Sequence, residues 1–200
     1  MKRFAAIFLS LCLLAPLAGC AKTDTRRGKP TELKTDMTVQ PVSAKAPADA
    51  AASYDRFAVD LFKTCYGGGN TLVSPLSVLG ALGMTAGGAA GETLAQMEAL
   101  FGMSADEVAA SLAAFGSDGA GAKLKIANSI WVREDLRVRD AFLARNTANY
   151  GAAIYKTAFG DDTAKAINKW IEEHTDGLVK DVLDRVPSDA VMYLVNALAL

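Results

Sequence analysis

The sequence predicts a mixed helix-and-strand fold in which the helices come first. Three patterns support this prediction. Through the first half of the folded region, apolar side chains recur at steps of three and four residues, as on one face of a helix. Residues 123–133 then alternate apolar and polar side chains, as in a half-buried strand. Residues 191–200 form a continuous apolar run, which is typical of a strand covered on both faces.

Size and charge limit the possible functions. The chain has 200 residues, of which 51% are hydrophobic, which is enough for one domain of ordinary size. Its 21 basic and 22 acidic residues give a net charge of -1, so a general nucleic-acid-binding role is not expected, because that role needs a basic excess. With three cysteines, the chain is not a small fold stapled by disulfides.

The first nineteen residues have the organisation of an export signal. Lys2 and Arg3 precede an apolar run, residues 4–18, which is too short to cross a membrane. The run ends in the string Leu-Ala-Gly-Cys, which resembles the lipobox of bacterial lipoproteins. In a lipobox the signal peptidase cleaves before the cysteine, here Cys20. The alternative is an ordinary secretory signal with a chance cysteine.

This resemblance implies a signal peptide at residues 1–19, a lipidated Cys20, and a protein anchored to a membrane by its acyl chains. Ala21 follows the cysteine where aspartate would favour retention, so the outer membrane of a Gram-negative envelope is expected. Residues 20–52 contain three prolines and few large apolar side chains, so we expect a flexible tether. Residues 53–200 form the folded body, with 13 basic and 18 acidic residues.

The body begins with four predicted helices. The first covers residues 53–66, and its apolar stripe consists of Phe57, Ala58, Leu61, Phe62 and Cys65. Cys65 is expected to be a buried, inert thiol. Glycines end this helix, and a short strand is expected at residues 71–73.

The second helix starts at Ser74, a good N-cap, followed by Pro75 at the first helical position. It is apolar almost all round and is therefore expected to be buried, with Gly80 and Gly83 allowing close neighbours. A third helix is predicted over residues 92–101 and is closed by a glycine. The string Ser-Ala-Asp-Glu at residues 104–107 is a capping box that begins the fourth.

Strands alternate with helices in the remainder. The strand at 123–133 places Asn128 on its apolar face, where the side chain needs a hydrogen-bond partner. A helix at 140–150, a strand at 152–157 and an amphipathic helix at 162–175 follow. The last strand, 191–200, is expected in the middle of a sheet. Few strands precede it, so we expect the sequence to be part of a longer fold, or another chain to complete it.

Five strings in order resemble the serpin family, and the resemblance covers residues 53–200. They are Asn70–Val78, Ala86–Thr93, Ile126–Val132, Ile167–Ile171 with Thr175–Val179, and Leu194–Ala197. The resemblance implies an α+β fold made of the N-terminal helices and the first strands of a large central sheet. The family's reactive loop and C-terminal strands have no counterpart in this sequence.

The resemblance also implies a function, which is inhibition of serine or cysteine endopeptidases. An inhibitory serpin is cleaved in its reactive loop, inserts the loop into the sheet as a new strand and distorts the acylated protease. Four residues match the region where the sheet opens: Ser74, Pro75, Ser77 and Asn196. Three match the packing of the helix in front of the sheet: Ile167, Asn168 and Trp170. From the residues alone, the alternative is that Ser74 only caps the helix, Ser77 lies in its first turn without a further role, and Asn196 is one satisfied polar group.

Without the loop, this chain is not expected to inhibit alone. In its complete form the expected partner is a target protease. No heparin-type polyanion is expected, because the fourth helix carries no basic residues.

We expect that the protein is not an enzyme and that it binds neither a cofactor nor a metal ion. His174 is the only histidine, and the glycine-rich string at 87–92 lacks the Lys-Ser/Thr ending of a phosphate-binding loop. The alternatives are an envelope lipoprotein that binds a partner through its open strand, and the product of a decayed gene.

Overall fold

The computed structural model describes residues 29–33, 39–41, 45–117 and 125–199. The predicted signal peptide, Cys20 and Leu200 lie outside these residues. Within them the structure has six helices, α1 (Ala50–Cys65), α2 (Pro75–Ala86), α3 (Gly91–Phe101), α4 (Ala105–Ser117), α5 (Asp140–Tyr150) and α6 (Asp161–His174). It also has four strands, β1 (Thr31–Leu33), β2 (Lys125–Arg133), β3 (Ala153–Thr157) and β4 (Met192–Ala199).

The four strands form one mixed sheet in the order β1-β3-β2-β4. β3 runs parallel to β2, and the two outer pairs are antiparallel. On one face α6 packs on the sheet through a cluster that includes Trp131, Ile167, Trp170, Tyr193 and Ala197. On the other face α2 and α5 contact it through Met84, Ile130, Leu143 and Ile154. The sheet is therefore the middle layer of three.

The first four helices share a separate core, which contains Phe57, Leu79, Phe101 and Val108. α2 is buried as predicted, and its glycines allow the expected close approach. A Cβ on Gly83 would lie only 2.6 Å from the Tyr150 hydroxyl oxygen. At the end of α3, Gly102 adopts a left-handed φ of 72°, which confirms the glycine stop.

The capping box of α4 is formed as predicted. The Glu107 carboxylate accepts hydrogen bonds from the backbone N–H and the hydroxyl of Ser104, each at 2.8 Å. The backbone N–H of Glu107 donates to the Ser104 hydroxyl oxygen at 3.3 Å. These bonds favour the charged carboxylate and lower the pKa of Glu107.

Two predictions near α1 are wrong. Cys65 is exposed, because it lies in the last turn of α1, where residues 62–65 are all exposed. Residues 71–73 form no strand. Three β-favouring residues did not suffice there, since none of the four described strands lies beside them to share hydrogen bonds.

Two predictions about the strands also need correction, and one stays open. β2 is buried on both faces over residues 128–132, not half-buried, because helices cover both sides of the sheet. β4 pairs with β2 only, so it lies at an edge among the described strands, and its expected place in the middle of a sheet stays a prediction for a longer fold. Its apolar run reflects cover by α6 and α2 above and below, and says nothing about neighbours to the side. β1 lies within the predicted flexible tether, where its backbone pairs with the edge of β3.

Candidate functional site at the β4 edge

The candidate site is the region around β4, where the sheet presents an edge with no paired strand among the described residues. Alternate residues of β4 face the two covering layers. Tyr193, Val195 and Ala197 belong to the cluster under α6, whereas Met192 and Leu194 contact the cluster beneath the sheet. Asn196 shares the second face, above α2. The site thus has three parts: the strand, the start of α2 below it and α6 above it.

At the start of α2, the two serines act as a local pair. Ser74 has an extended backbone (φ −111°, ψ 94°), and its side-chain oxygen accepts from the backbone N–H of Ser77 at 3.4 Å. The Ser74 hydroxyl also donates to the Ser77 hydroxyl oxygen at 3.0 Å. Pro75 occupies the first helical position, which needs no donor. The cap predicted from the sequence is confirmed.

The two serines have different roles in this geometry, and single substitutions can distinguish them. Ser74→Ala removes the acceptor for a helix N–H, and we expect it to destabilise the protein by about 1 kcal/mol. Ser77→Ala leaves the cap in place and removes only the hydroxyl-to-hydroxyl bond, so its effect should be smaller. Urea unfolding of the two variants tests this order, and equal losses would show that the hydroxyl pair matters more than the cap.

Asn196 makes its hydrogen bond across the β2–β4 pair. Its Nδ2 donates to Asn128 Oδ1 at 2.8 Å, and the two residues are directly opposite in the strand register. Asn128 Nδ2 in turn donates to the backbone carbonyl of Tyr150, at the end of α5, also at 2.8 Å. Asn196 Oδ1 is buried with no hydrogen-bond partner in the described structure. The result is a short polar chain that links β4, β2 and α5.

The four residues predicted at the opening region therefore fall into two groups. Ser74, Pro75 and Ser77 belong to the cap of α2, and Asn196 belongs to the asparagine chain. No hydrogen bond joins the groups within the described part of the chain. Sequence reasoning identified Asn128 as needing a partner but did not pair it with Asn196, which lies 68 positions away.

A small cavity of about 160 Å³ adjoins the asparagines. Its walls come from α2, α4, β2, β4 and the end of α5, and include Leu76, Leu112, Ile126, Tyr150 and Leu198. Burial here raises the pKa of Tyr150 far above its usual value. Close below Asn196, Gly80 has no side chain, and a Cβ there would lie 3.2 Å from Asn196 Nδ2. The polar chain thus fits closely on α2.

On the opposite face of the sheet, two of the three predicted packing residues of α6 are buried, and the third forms hydrogen bonds to a neighbouring segment. Ile167 and Trp170 are buried against the sheet. Asn168 binds the segment that leads from α6 to β4. Its Nδ2 donates to the Leu183 carbonyl at 2.7 Å, and its Oδ1 accepts from the Leu183 N–H at 2.9 Å. Asn168 therefore acts as a two-point clamp on the chain that enters β4.

Asn168→Ala should release this segment, because both hydrogen bonds to Leu183 are lost. We expect a loss of about 1–3 kcal/mol in the free energy of unfolding and faster hydrogen exchange at Leu183. Asn168→Asp is the matched control, since it keeps the acceptor for the Leu183 N–H and loses the donor. Unchanged exchange at Leu183 in the alanine variant would contradict the clamp.

Across residues 29–33, 39–41, 45–117 and 125–199, no three His, Cys, Asp or Glu side chains come together as a metal site would need. His174 is exposed at the end of α6, although the sequence placed it near the apolar face. Its ring stacks on Trp170 with centroids 4.1 Å apart, and its Nδ1 lies 2.7 Å from the Trp170 carbonyl oxygen. No described helix is long and apolar enough to cross a membrane.

The family comparison matches this architecture. A family model described as "Serpin (serine protease inhibitor)" matches residues 52–200. The chain belongs to the serpin family. Leukocyte elastase inhibitor from Bos taurus is 33% identical over 160 residues, covering 74% of this chain and 42% of that protein. Neuroserpin from Homo sapiens is 36% identical over 135 residues, covering 62% of this chain and 33% of neuroserpin.

Solved serpin structures share the fold. The thermophilic serpin tengpin in its native state is 35% identical, with a TM-score of 0.71, covering 86% of this chain and 46% of tengpin. A loop C-sheet serpin polymer is 34% identical, with a TM-score of 0.73, covering 82% of this chain and 45% of its own. This serpin chain thus spans less than half the length of the relatives it matches.

Proposed function

We propose that this chain is the part of a protease-inhibiting serpin that receives the inserted reactive loop, and that the complete protein inhibits serine or cysteine endopeptidases. The observation that carries the proposal is β4, a strand covered on both faces and unpaired along one side within the described structure. A second line of support is that a relative of this chain is named as an inhibitor, the leukocyte elastase inhibitor.

The chemistry of insertion follows from the backbone of β4. An edge strand has a row of N–H and C=O groups with no partner, and an added strand satisfies them. Because α6 and α2 already cover β4, a loop that enters beside it would find apolar layers above and below. The pairing of β2 with β4, with its Asn128–Asn196 bond, need not break during this step.

The test is a titration of the complete protein against a panel of serine and cysteine proteases. Trapping predicts a one-to-one protease complex that survives denaturing electrophoresis, because the acylated enzyme stays covalently attached. A protease whose nucleophile has been chemically blocked should give no such complex, and neither should the 200-residue chain by itself. Cleavage of the complete protein without any accumulated complex would overturn the proposal.

A second function, binding of a partner protein through the β4 edge, is favoured by the same observation, that no described strand pairs with the outer side of β4. In that case the serpin-like body would be an envelope interaction module without inhibitory activity. Deletion of residues 191–200 should abolish partner binding if the strand is the binding element. Retained binding after that deletion would count against it.

For location, we propose that the mature protein begins at a lipidated Cys20 and is anchored in the cell envelope, on the outer membrane. Support comes from the lipobox-like string and the basic segment after it. We expect Cys20→Ser to move the protein from the membrane fraction to the soluble fraction and to remove the acyl mass. Cys65→Ser is the matched control and should leave both unchanged. A Cys20→Ser protein that still pellets with membranes would contradict the anchor.

The expected absence of nucleic-acid and heparin-type partners stays a prediction from charge. The described helix α4 carries Asp106 and Glu107 in its first turn and no basic residue in its last. Arg145 of α5 forms an ion pair with Asp106, so this nearby cation is already engaged. A heparin column run at low salt would test the prediction directly.

A further inference from the structure

β1 connects the predicted membrane anchor to the folded sheet. It lies only eleven positions after Cys20, yet it pairs with β3 at the edge opposite β4. The register is Thr31 with Lys156, Glu32 with Tyr155 and Leu33 with Ile154. A segment expected to be a flexible tether thus contains a point of attachment to the body.

One side chain of β1 packs on the core, whereas those of Thr31 and Glu32 are exposed. Leu33 packs against the cluster beneath the sheet that includes Ile130, Leu143 and Ile154. Glu32 points to the other face, beside Tyr155, whose ring stacks on Trp131 with centroids 4.3 Å apart. Burial, and after it the negative charge of Glu32, raise the pKa of Tyr155. The alternation is that of a strand inside a sheet.

We propose that β1 docks the membrane-proximal segment on the sheet and so sets the height of the serpin body above the membrane. This inference rests on the proposed lipid anchor at Cys20. With β1 docked, the body is attached through residues 21–30, which span at most about 38 Å when fully extended. With β1 free, the attachment runs to Ala50 at the start of α1, and the limit rises to about 105 Å.

The docked strand also fixes which edge of the sheet is tethered. β1 and β4 lie at opposite edges, three strand spacings or about 14 Å apart. A loop or partner strand that pairs with β4 therefore does not compete with the tether. β1 also covers the outer edge of β3, which would otherwise be open to pairing with other chains.

A pair of proline substitutions separates the docked state from the free state. Successive N–H groups of a strand point to opposite edges, so Glu32→Pro with Leu33→Pro removes one that faces β3. The matched control is Val39→Pro with Gln40→Pro, two residues outside any strand of the structure. The full-length lipidated proteins are reconstituted on a supported bilayer of phosphatidylethanolamine and phosphatidylglycerol, and neutron reflectometry measures the gap beneath the protein layer.

We expect the gap to widen by about 12 Å in the β1 variant, because the first point of attachment after Cys20 moves from eleven to thirty positions along the chain. Amides of β3 should also lose protection in hydrogen exchange. The control variant should match the wild type in both measurements. Equal gaps and equal protection in an acylated β1 variant would overturn the docking alone. Absence of acyl mass on the wild-type protein would overturn the anchor, and the height proposal with it.

Discussion

Replacing Trp131 by alanine should cost about 3–5 kcal/mol in the free energy of unfolding, one of the two largest single-residue losses we expect for this protein. Trp131 lies in β2, between β3 and β4, and is only 2% exposed. Its ring stacks on Tyr155, and its indole N–H donates to the Ser129 hydroxyl oxygen at 2.9 Å. It also belongs to the cluster through which α6 packs on the sheet. Truncation would therefore leave a cavity at the centre of the layered core.

Two controls distinguish a core effect from a general one. Trp131→Phe keeps an aromatic ring and loses the indole hydrogen bond, so we expect less than half of the alanine loss. Leu72→Ala removes a side chain that is 68% exposed and should change stability by no more than about 0.5 kcal/mol. The midpoints are measured by urea unfolding of the full-length protein. Far-UV circular dichroism monitors the unfolding, because tryptophan fluorescence would itself change when Trp131 is replaced. Equal midpoints for Trp131→Ala and Leu72→Ala would contradict the packing described here.

Features fixed by neighbouring residues were predictable from the sequence. The Ser74 cap, the proline after it and the Ser104–Glu107 box each depend on residues at most three positions apart. The buried character of α2 followed from its composition, and the glycine after α3 from its position. The fold class and the family followed from several such local strings in the right order. In each case the information lies within one short segment.

Features set by contacts between distant segments could not be predicted from the same patterns. β1 is three residues long and has no apolar periodicity, and only its pairing with β3 makes it a strand. Which strands lie beside β4 is set by the rest of the fold, whereas its composition reports only the layers above and below it. The exposure of Cys65 depends on which distant segments pack against the last turn of α1, and its sequence neighbours do not report that.

The asparagine pair was missed for the same reason, and it carries the second large effect that we expect. Asn128→Ala should destabilise the protein more than Asn196→Ala, although the two share one hydrogen bond. Without Asn128, the Tyr150 carbonyl loses its donor and Asn196 loses the bond of its Nδ2. Since Asn196 Oδ1 has no partner among the described residues, that buried amide would then have no side-chain hydrogen bond. Two orphaned groups at about 1–3 kcal/mol each give roughly 2–6 kcal/mol.

Asn196→Ala leaves fewer groups without partners. Asn128 Oδ1 loses its donor, but the unpaired Asn196 Oδ1 is removed, and the bond from Asn128 to Tyr150 remains. We therefore expect at most about 1–3 kcal/mol. Adding Asn196→Ala to Asn128→Ala should recover part of the stability lost in the single variant, because it removes an amide that has no partner. A double-mutant cycle on the full-length serpin measures this coupling. Strict additivity, or a larger loss from Asn196→Ala than from Asn128→Ala, would show that the polar chain does not stabilise the junction of β2, β4 and α5 in this way.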